Sequence, residues 1–136
     1  MSTRSKARKA ALDLLYESDI RKTSPQTLLT KRVTELEYVI RDFTKDLVDG
    51  VESHRRKIDE LITTYSQGWD MDRMPVIDRN ILRLGIYELL WSESVPTSVA
   101  ISEALELAQT LSTDDSSKYI NGVLSKVLEI KSDLVL

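Results

Sequence analysis

Few side chains in this 136-residue sequence combine into a reactive group. There is one histidine, His54, and no cysteine, so thiol nucleophiles, Cys-based zinc sites and disulfides are excluded. A metal site built on His54 needs carboxylates at helical spacing, and Glu52, two residues away, falls on the wrong side. His54 therefore reads as a surface or boundary residue. Without a second histidine, most nucleophile–base pairs are out of reach. Asp114-Asp115 and the pair Glu103 and Glu106 have carboxylates enough for acid–base work, but a helix N-terminus and a solvated face account for them better. The nucleotide-binding and zinc-protease motifs GxGxxG, GxxxxGK(S/T) and HExxH are all missing. No catalysis, cofactor or metal is expected.

The chemistry that remains is electrostatic. Arg4, Lys6, Arg8 and Lys9 all precede the first acid, Asp13. Residues 1–68 hold 13 basic and 11 acidic side chains, whereas residues 69–136 hold 6 and 11. The formal net charge of −3 argues against a protein that coats nucleic acid indiscriminately, but its distribution draws a polyanion to the N-terminal end. If a helix starts near Thr3, these cations sit at the positive end of its macrodipole, at a cost of roughly a few tenths of a kcal/mol each. They are either a solvated basic leader or a phosphate-contacting arm whose grip weakens steeply with salt. Projected at about 100° per residue, Leu12 and Tyr16 lie away from the Ala7/Ala11/Leu14 face and near Arg8 and Lys9. They either pack against another helix or form an apolar patch suited to a protein partner or to base stacking.

The elements that must carry these residues are helical. Apolar residues at 41% and charged residues at 30% fit a soluble globular chain, and four Gly with three Pro leave little room for a turn-rich β architecture. Ser24-Pro25 announces a second helix with Leu28, Leu29 and Val33 as its buried stripe. From Leu36 to Tyr65 the positions Leu36, Val39, Ile40, Phe43, Leu47, Val51, Ile58, Leu61, Ile62 and Tyr65 keep three-and-four spacing. Gly50 marks a bend or a close helix contact there, and Ser53 divides the segment if it caps a new helix. Gln67-Gly68 and Met74-Pro75 bracket a linker. Val76 to Trp91 is apolar on almost every side and belongs at the centre. Val95-Pro96-Thr97 starts the next helix, Ser112 and Asp115 fit a capping box for the last, and the tail beyond Ile130 is expected to fray. No apolar run approaches the roughly 20 residues of a membrane span, and no signal-peptide core follows the leader, so a cytoplasmic protein is expected. The architecture predicted is all-α: six or seven helices in one domain, with packed subdomains at about 1–67 and 68–136.

Four segments carry a resemblance. Ala7–Tyr16 (ARKAALDLLY), Ile77–Leu89 (IDRNILRLGIYEL), Val95-Pro96 followed by Ala100–Ala108 (AISEALELA), and Lys118–Leu124 (KYINGVL) resemble, in order and spacing, the NusB family of bacterial transcription antitermination factors. The resemblance implies two helical subdomains and a heterodimer with NusE, the ribosomal small-subunit protein. It implies that the pair recognises boxA RNA in nascent ribosomal transcripts, joins an antitermination complex of RNA polymerase, and assists ribosomal RNA maturation. Arg4, Lys6, Arg8 and Lys9 correspond to the family's arginine-rich N-terminus, here shorter and mixed with lysine, which weakens the case for bidentate phosphate contacts. Tyr16 and Asp78 match positions facing NusE, and Leu12 joins them from the helical projection. Lys118 and Tyr119 match a basic–aromatic pair near the RNA surface, with Asp115 bordering it. Asn121-Gly122 serves either close helix packing or binding. Homodimerisation varies within the family and is left open. The same fold also occurs as a domain of ribosomal RNA methyltransferases, whose catalytic domain is not expected in 136 residues. The competing reading is a helical protein-interaction adaptor whose basic leader is incidental.

Overall fold

Ser2 opens the first helix, α1 (Thr3–Arg21), by accepting the Ser5 backbone N–H on its hydroxyl oxygen. Residues 2–36 and 39–136 are described by the computed structural model, and every regular element among them is helical. After α1 come α2 (Pro25–Glu35), α3 (Asp42–Ser53), α4 (Arg55–Tyr65), α5 (Val76–Trp91), α6 (Thr97–Leu111) and α7 (Asp114–Ile130). Short 3₁₀ turns at Met71–Arg73 and Lys131–Asp133 precede α5 and follow α7. Ser24 caps α2 with Pro25 in its first turn, as that dipeptide predicts.

The hydrophobic sequence of α5 decides the architecture. Its Ile81, Leu82, Leu84, Ile86 and Leu89 are buried, each contributing about 1.5–3 kcal/mol by leaving water. Such a helix needs cover all round, and α1, α3, α4, α6 and α7 supply it. One contiguous core runs from Ala11 and Leu12 through α5 to Val127, so the segments before and after the 66–75 connection pack as a unit. Gly50 is the close contact its position in α3 suggests: a Cβ there would lie 2.1 Å from the Tyr87 ring. No helix among the described residues is long and apolar enough to cross a membrane.

The structure corrects several sequence expectations. Val33, Leu36 and Val39 are exposed, Leu36 at 71% and Val39 at 87%. α2 ends at Glu35 and α3 begins only at Asp42, so residues 36–41 form a connector, of which 37 and 38 lie outside the described residues. Of the apolar residues at the start of the expected stripe, only Ile40 and Phe43 reach the core. The stripe is divided at His54, which ends α3 and precedes α4. The α7 cap falls one residue later than expected: Thr113 accepts the Ser116 N–H, because the Ser112 hydroxyl is taken up by Asp78. Leu134 packs on the core instead of fraying.

Candidate nucleic-acid interface

The antiparallel pair α1 and α5 positions most of the candidate residues. Arg8, early in α1, meets Glu88, late in α5; Asp19, late in α1, meets Arg79 and Asn80, early in α5. The leader is thereby laid against the C-terminal end of α5, where Arg4 donates to the Ser94 carbonyl at 3.3 Å. Lys118 and Tyr119 lie at the opposite end. Their helix starts beside the beginning of α5, where the Ser112 and Ser116 hydroxyls donate to Asp78, and the Tyr119 hydroxyl donates to the Ser66 carbonyl. Because α5 is 16 residues long, about 24 Å of helix separates these two ends. The structure does not gather the leader and the Lys118/Tyr119 pair into one compact site.

Within the leader the cations have unequal fates. Arg8 is 3% exposed and grips Glu88 with two N–H···O bonds of 2.7 and 2.9 Å, with Glu103 at 3.5 Å. A free phosphate-contacting role for Arg8 is therefore corrected to a structural one, since leaving Glu88 buried and unmatched costs about 3–5 kcal/mol. Lys9 forms an i,i+4 pair with Asp13 at 2.7 Å. Arg4 lies 4.4 Å above the Phe43 ring. Lys6 is exposed and makes no ion pair among the described residues. The unfavourable macrodipole placement of these charges is offset at Arg8 by carboxylates from α5 and α6.

The partner-facing candidates also divide. Leu12 is fully buried in the core, which overturns its placement on an exposed patch: α5 covers the side of α1 that the projection left open. Asp78 is equally buried, its carboxylate accepting both serine hydroxyls at 2.6 Å, so it braces α5 against α7 and offers no surface. Tyr16 alone is accessible, at 41%, beside Pro75, Ile77 and Leu111.

The better-formed cationic surface is an open groove of roughly 520 Å³ between α4 and α7. Lys118, Gly122 and Lys126 run along it, with Tyr65, Gln67 and Tyr119 opposite or between them. Lys118 is exposed and makes no ion pair among the described residues, and Lys126 reaches only Glu129, at 3.7 Å. Trp69 meets Tyr119 edge-on at 4.4 Å and fixes its ring. Burial pushes the Tyr119 phenol up despite its hydrogen bond to Ser66, so it stays a neutral donor. Asp115 lies exposed near the start of α7. Tyr65 and Lys126 were missed in the sequence, although Lys118, Gly122 and Lys126 at i, i+4 and i+8 announce one helix face. Gly122 has nothing within 4 Å of where a Cβ would stand, so close packing does not explain it.

The chain matches the NusB family over residues 5–129. It is 47% identical over 134 residues to a transcription antitermination protein NusB of Thermobifida fusca, covering 98% of this chain and 94% of that one. The chain belongs to the NusB family. Its fold superposes on Thermotoga maritima NusB with a TM-score of 0.82 at 30% identity, covering 98% and 99% of the two chains. It also superposes, at a TM-score of 0.80 and 30% identity, on a chain from a crystal structure of the antitermination factors NusB and NusE in complex with double-stranded RNA, covering 93% and 96%. The NusB fold thus accommodates both a buried Arg8–Glu88 pair and an open, lysine-bordered α4/α7 groove on one scaffold.

Proposed function

We propose that this chain is an RNA-binding transcription antitermination factor that pairs with NusE to hold boxA-type RNA of nascent ribosomal transcripts within an antitermination complex of RNA polymerase. The observation that carries the reading is the near-complete superposition on a chain crystallised with NusE and double-stranded RNA. Two features of the molecule support it. Lys118, Lys126 and the tyrosines of the α4/α7 groove offer phosphate-attracting charge beside aromatic faces. Tyr16, with Ile77, Pro75 and Leu111, offers an apolar face for a protein partner. Lys6 and Lys9 supply a second, weaker phosphate contact near the start of α1, so an RNA engaging both ends must run along the molecule.

Binding to a boxA RNA and to a scrambled RNA, with and without NusE, at several salt concentrations, tests the proposal. Preference for boxA in the presence of NusE, with a salt dependence that lessens when Lys118 and Lys126 become Ala, is the expected result. Equal affinity for both RNAs under every condition sinks it, and retained binding to NusE alone would then favour the protein-interaction adaptor.

A further inference from the structure

A separate open groove, of roughly 440 Å³, lies between α3 and the C-terminal end of α5. One part of its lining is a row of rings. His54 stacks on Trp91 with centroids 4.0 Å apart and planes 10° from parallel, and Tyr87 lies 6.3 Å from Trp91 at 20°. Gly50 admits Tyr87 to this position, since any side chain there would occupy the space of the ring. Three carboxylates, Asp46, Asp49 and Glu93, also line it; none forms an ion pair among the described residues, and Asp49 accepts one N–H, from Gln26 at 3.1 Å.

The chain's own Arg4 displays the chemistry this groove accepts. Its guanidinium lies over Phe43 at 4.4 Å and donates to the Ser94 carbonyl, both residues lining the same groove. A planar cation over an aromatic face, with its N–H groups on oxygen, is the arrangement that arginine favours. Arg4 answers one of three carboxylates in charge, and among the described residues cations stack only on Phe43, leaving the His54–Trp91–Tyr87 row without one. Single-stranded nucleic acid also stacks on aromatic rings, but here its phosphates would face the three carboxylates.

We propose that this groove docks an arginine-bearing peptide segment of a protein partner, a guanidinium seating on the aromatic row while Asp46, Asp49 and Glu93 accept its N–H groups. The site is distinct from the α4/α7 groove and does not depend on the RNA reading.

The test uses an acetylated, amidated peptide alternating Arg with Gly, titrated into the Trp69→Phe chain, in which Trp91 is the one remaining tryptophan. Saturable change in Trp91 fluorescence is expected. Asp46→Asn with Glu93→Gln should weaken it roughly three- to tenfold, as the loss of two exposed charge pairs allows. Substituting Lys for Arg in the peptide should weaken it roughly two- to fivefold through lost stacking. Glu60→Gln with Asp133→Asn, the same charge change elsewhere on the surface, should leave affinity unaltered. Equal losses in the groove and control variants overturn the proposal, as does the absence of saturable binding or tighter seating of an oligouridylate at Trp91. If Trp69→Phe fails to fold, the indole N–H resonance of Trp91 in the unaltered chain reads the same titration.

Discussion

In the leader of α1, Arg8 lies buried with two N–H groups on Glu88, Lys9 is held by Asp13 and Arg4 rests on Phe43. On α7, by contrast, Lys118 stands exposed near Tyr119, and Lys126 reaches only an exposed Glu129 at 3.7 Å. The leader has the denser charge in sequence, but of its four cations only Lys6 is exposed without an ion pair or ring contact; on α7 both lysines stay exposed at one groove. Burial explains the fate of Arg8, whereas Lys9 and Arg4 are engaged nearer the surface by Asp13 and Phe43. A guanidinium removed from water must be matched at once by carboxylates, and the match cancels its field at a distance. A lysine at a groove margin keeps its hydration and its reach for a phosphate. Counting basic residues along a chain therefore overstates the leader and understates the helix where two lysines share a face.

Arg8→Ala would break this comparison most severely. It strands Glu88 in the interior and should cost about 3–5 kcal/mol in urea or thermal unfolding, whereas replacing both partners by apolar residues, Arg8→Met with Glu88→Leu, should recover most of that loss. If Arg8→Ala left stability untouched and weakened only RNA binding, the leader would be a phosphate arm after all. The opposite end of the α1/α5 pair gives the next largest effect. Burial pushes the Asp19 carboxyl up, but hydrogen bonds from Arg79 and Asn80, with the charges of Arg83 and Arg79, more than offset this and hold it below its ordinary 3.8. A carboxyl lowered by folding stabilises the protein fully above its unfolded value, and that contribution fades as pH falls through the folded one. Stability should thus decline on acidification from about 3.8 downward, and Asp19→Asn should flatten that part of the profile. The same variant should cost about 1–3 kcal/mol at neutral pH, because Arg79 and Arg83 lose their shared acceptor.

The helices were largely legible in the sequence because their signals are local. Ser24-Pro25, the apolar sides of Val76–Trp91 and the break at Val95-Pro96 each act within a few residues. The site was legible only in part. Nothing near Arg8 names Glu88, 80 residues away, as its partner, so a buried ion pair read as a surface charge. Leu12 failed for a related reason. A single-helix projection finds one apolar face, but α1 is covered by α2, α3 and α5 and needs more than one. Asp78 likewise looks like a surface acid until Ser112 and Ser116 arrive from α6 and α7. Tyr16, for which the projection left packing and a surface patch both open, stays 41% exposed because Pro75, Ile77 and Leu111 cover it only in part.

Lys118→Ala with Lys126→Ala sharpens the comparison from the α7 side. If each lysine meets one phosphate, the logarithmic salt dependence of RNA binding should flatten by about 1.4–1.8 in slope, at 0.7–0.9 per contact. Unfolding stability should stay within about 0.5 kcal/mol, since both side chains are exposed. Lys6→Ala with Lys9→Ala should flatten the slope less, because Lys9 already has Asp13 as a counter-ion.

Gly122 offers the smallest but most discriminating effect, since it lies one turn from each lysine on the groove face. A methyl group there meets nothing within 4 Å, in contrast to Gly50, where Tyr87 fills the space. Gly122→Ala should therefore raise helix stability by up to about 1 kcal/mol, the ordinary gain for Gly to Ala inside a helix. A purely structural stripe would show that gain and no more. If RNA lies along Lys118, Gly122 and Lys126, the added methyl obstructs it, and RNA affinity should fall while the unfolding midpoint rises. Those two readouts moving in opposite directions would assign the glycine to binding; a rise in stability with unchanged affinity would place the RNA elsewhere on the molecule.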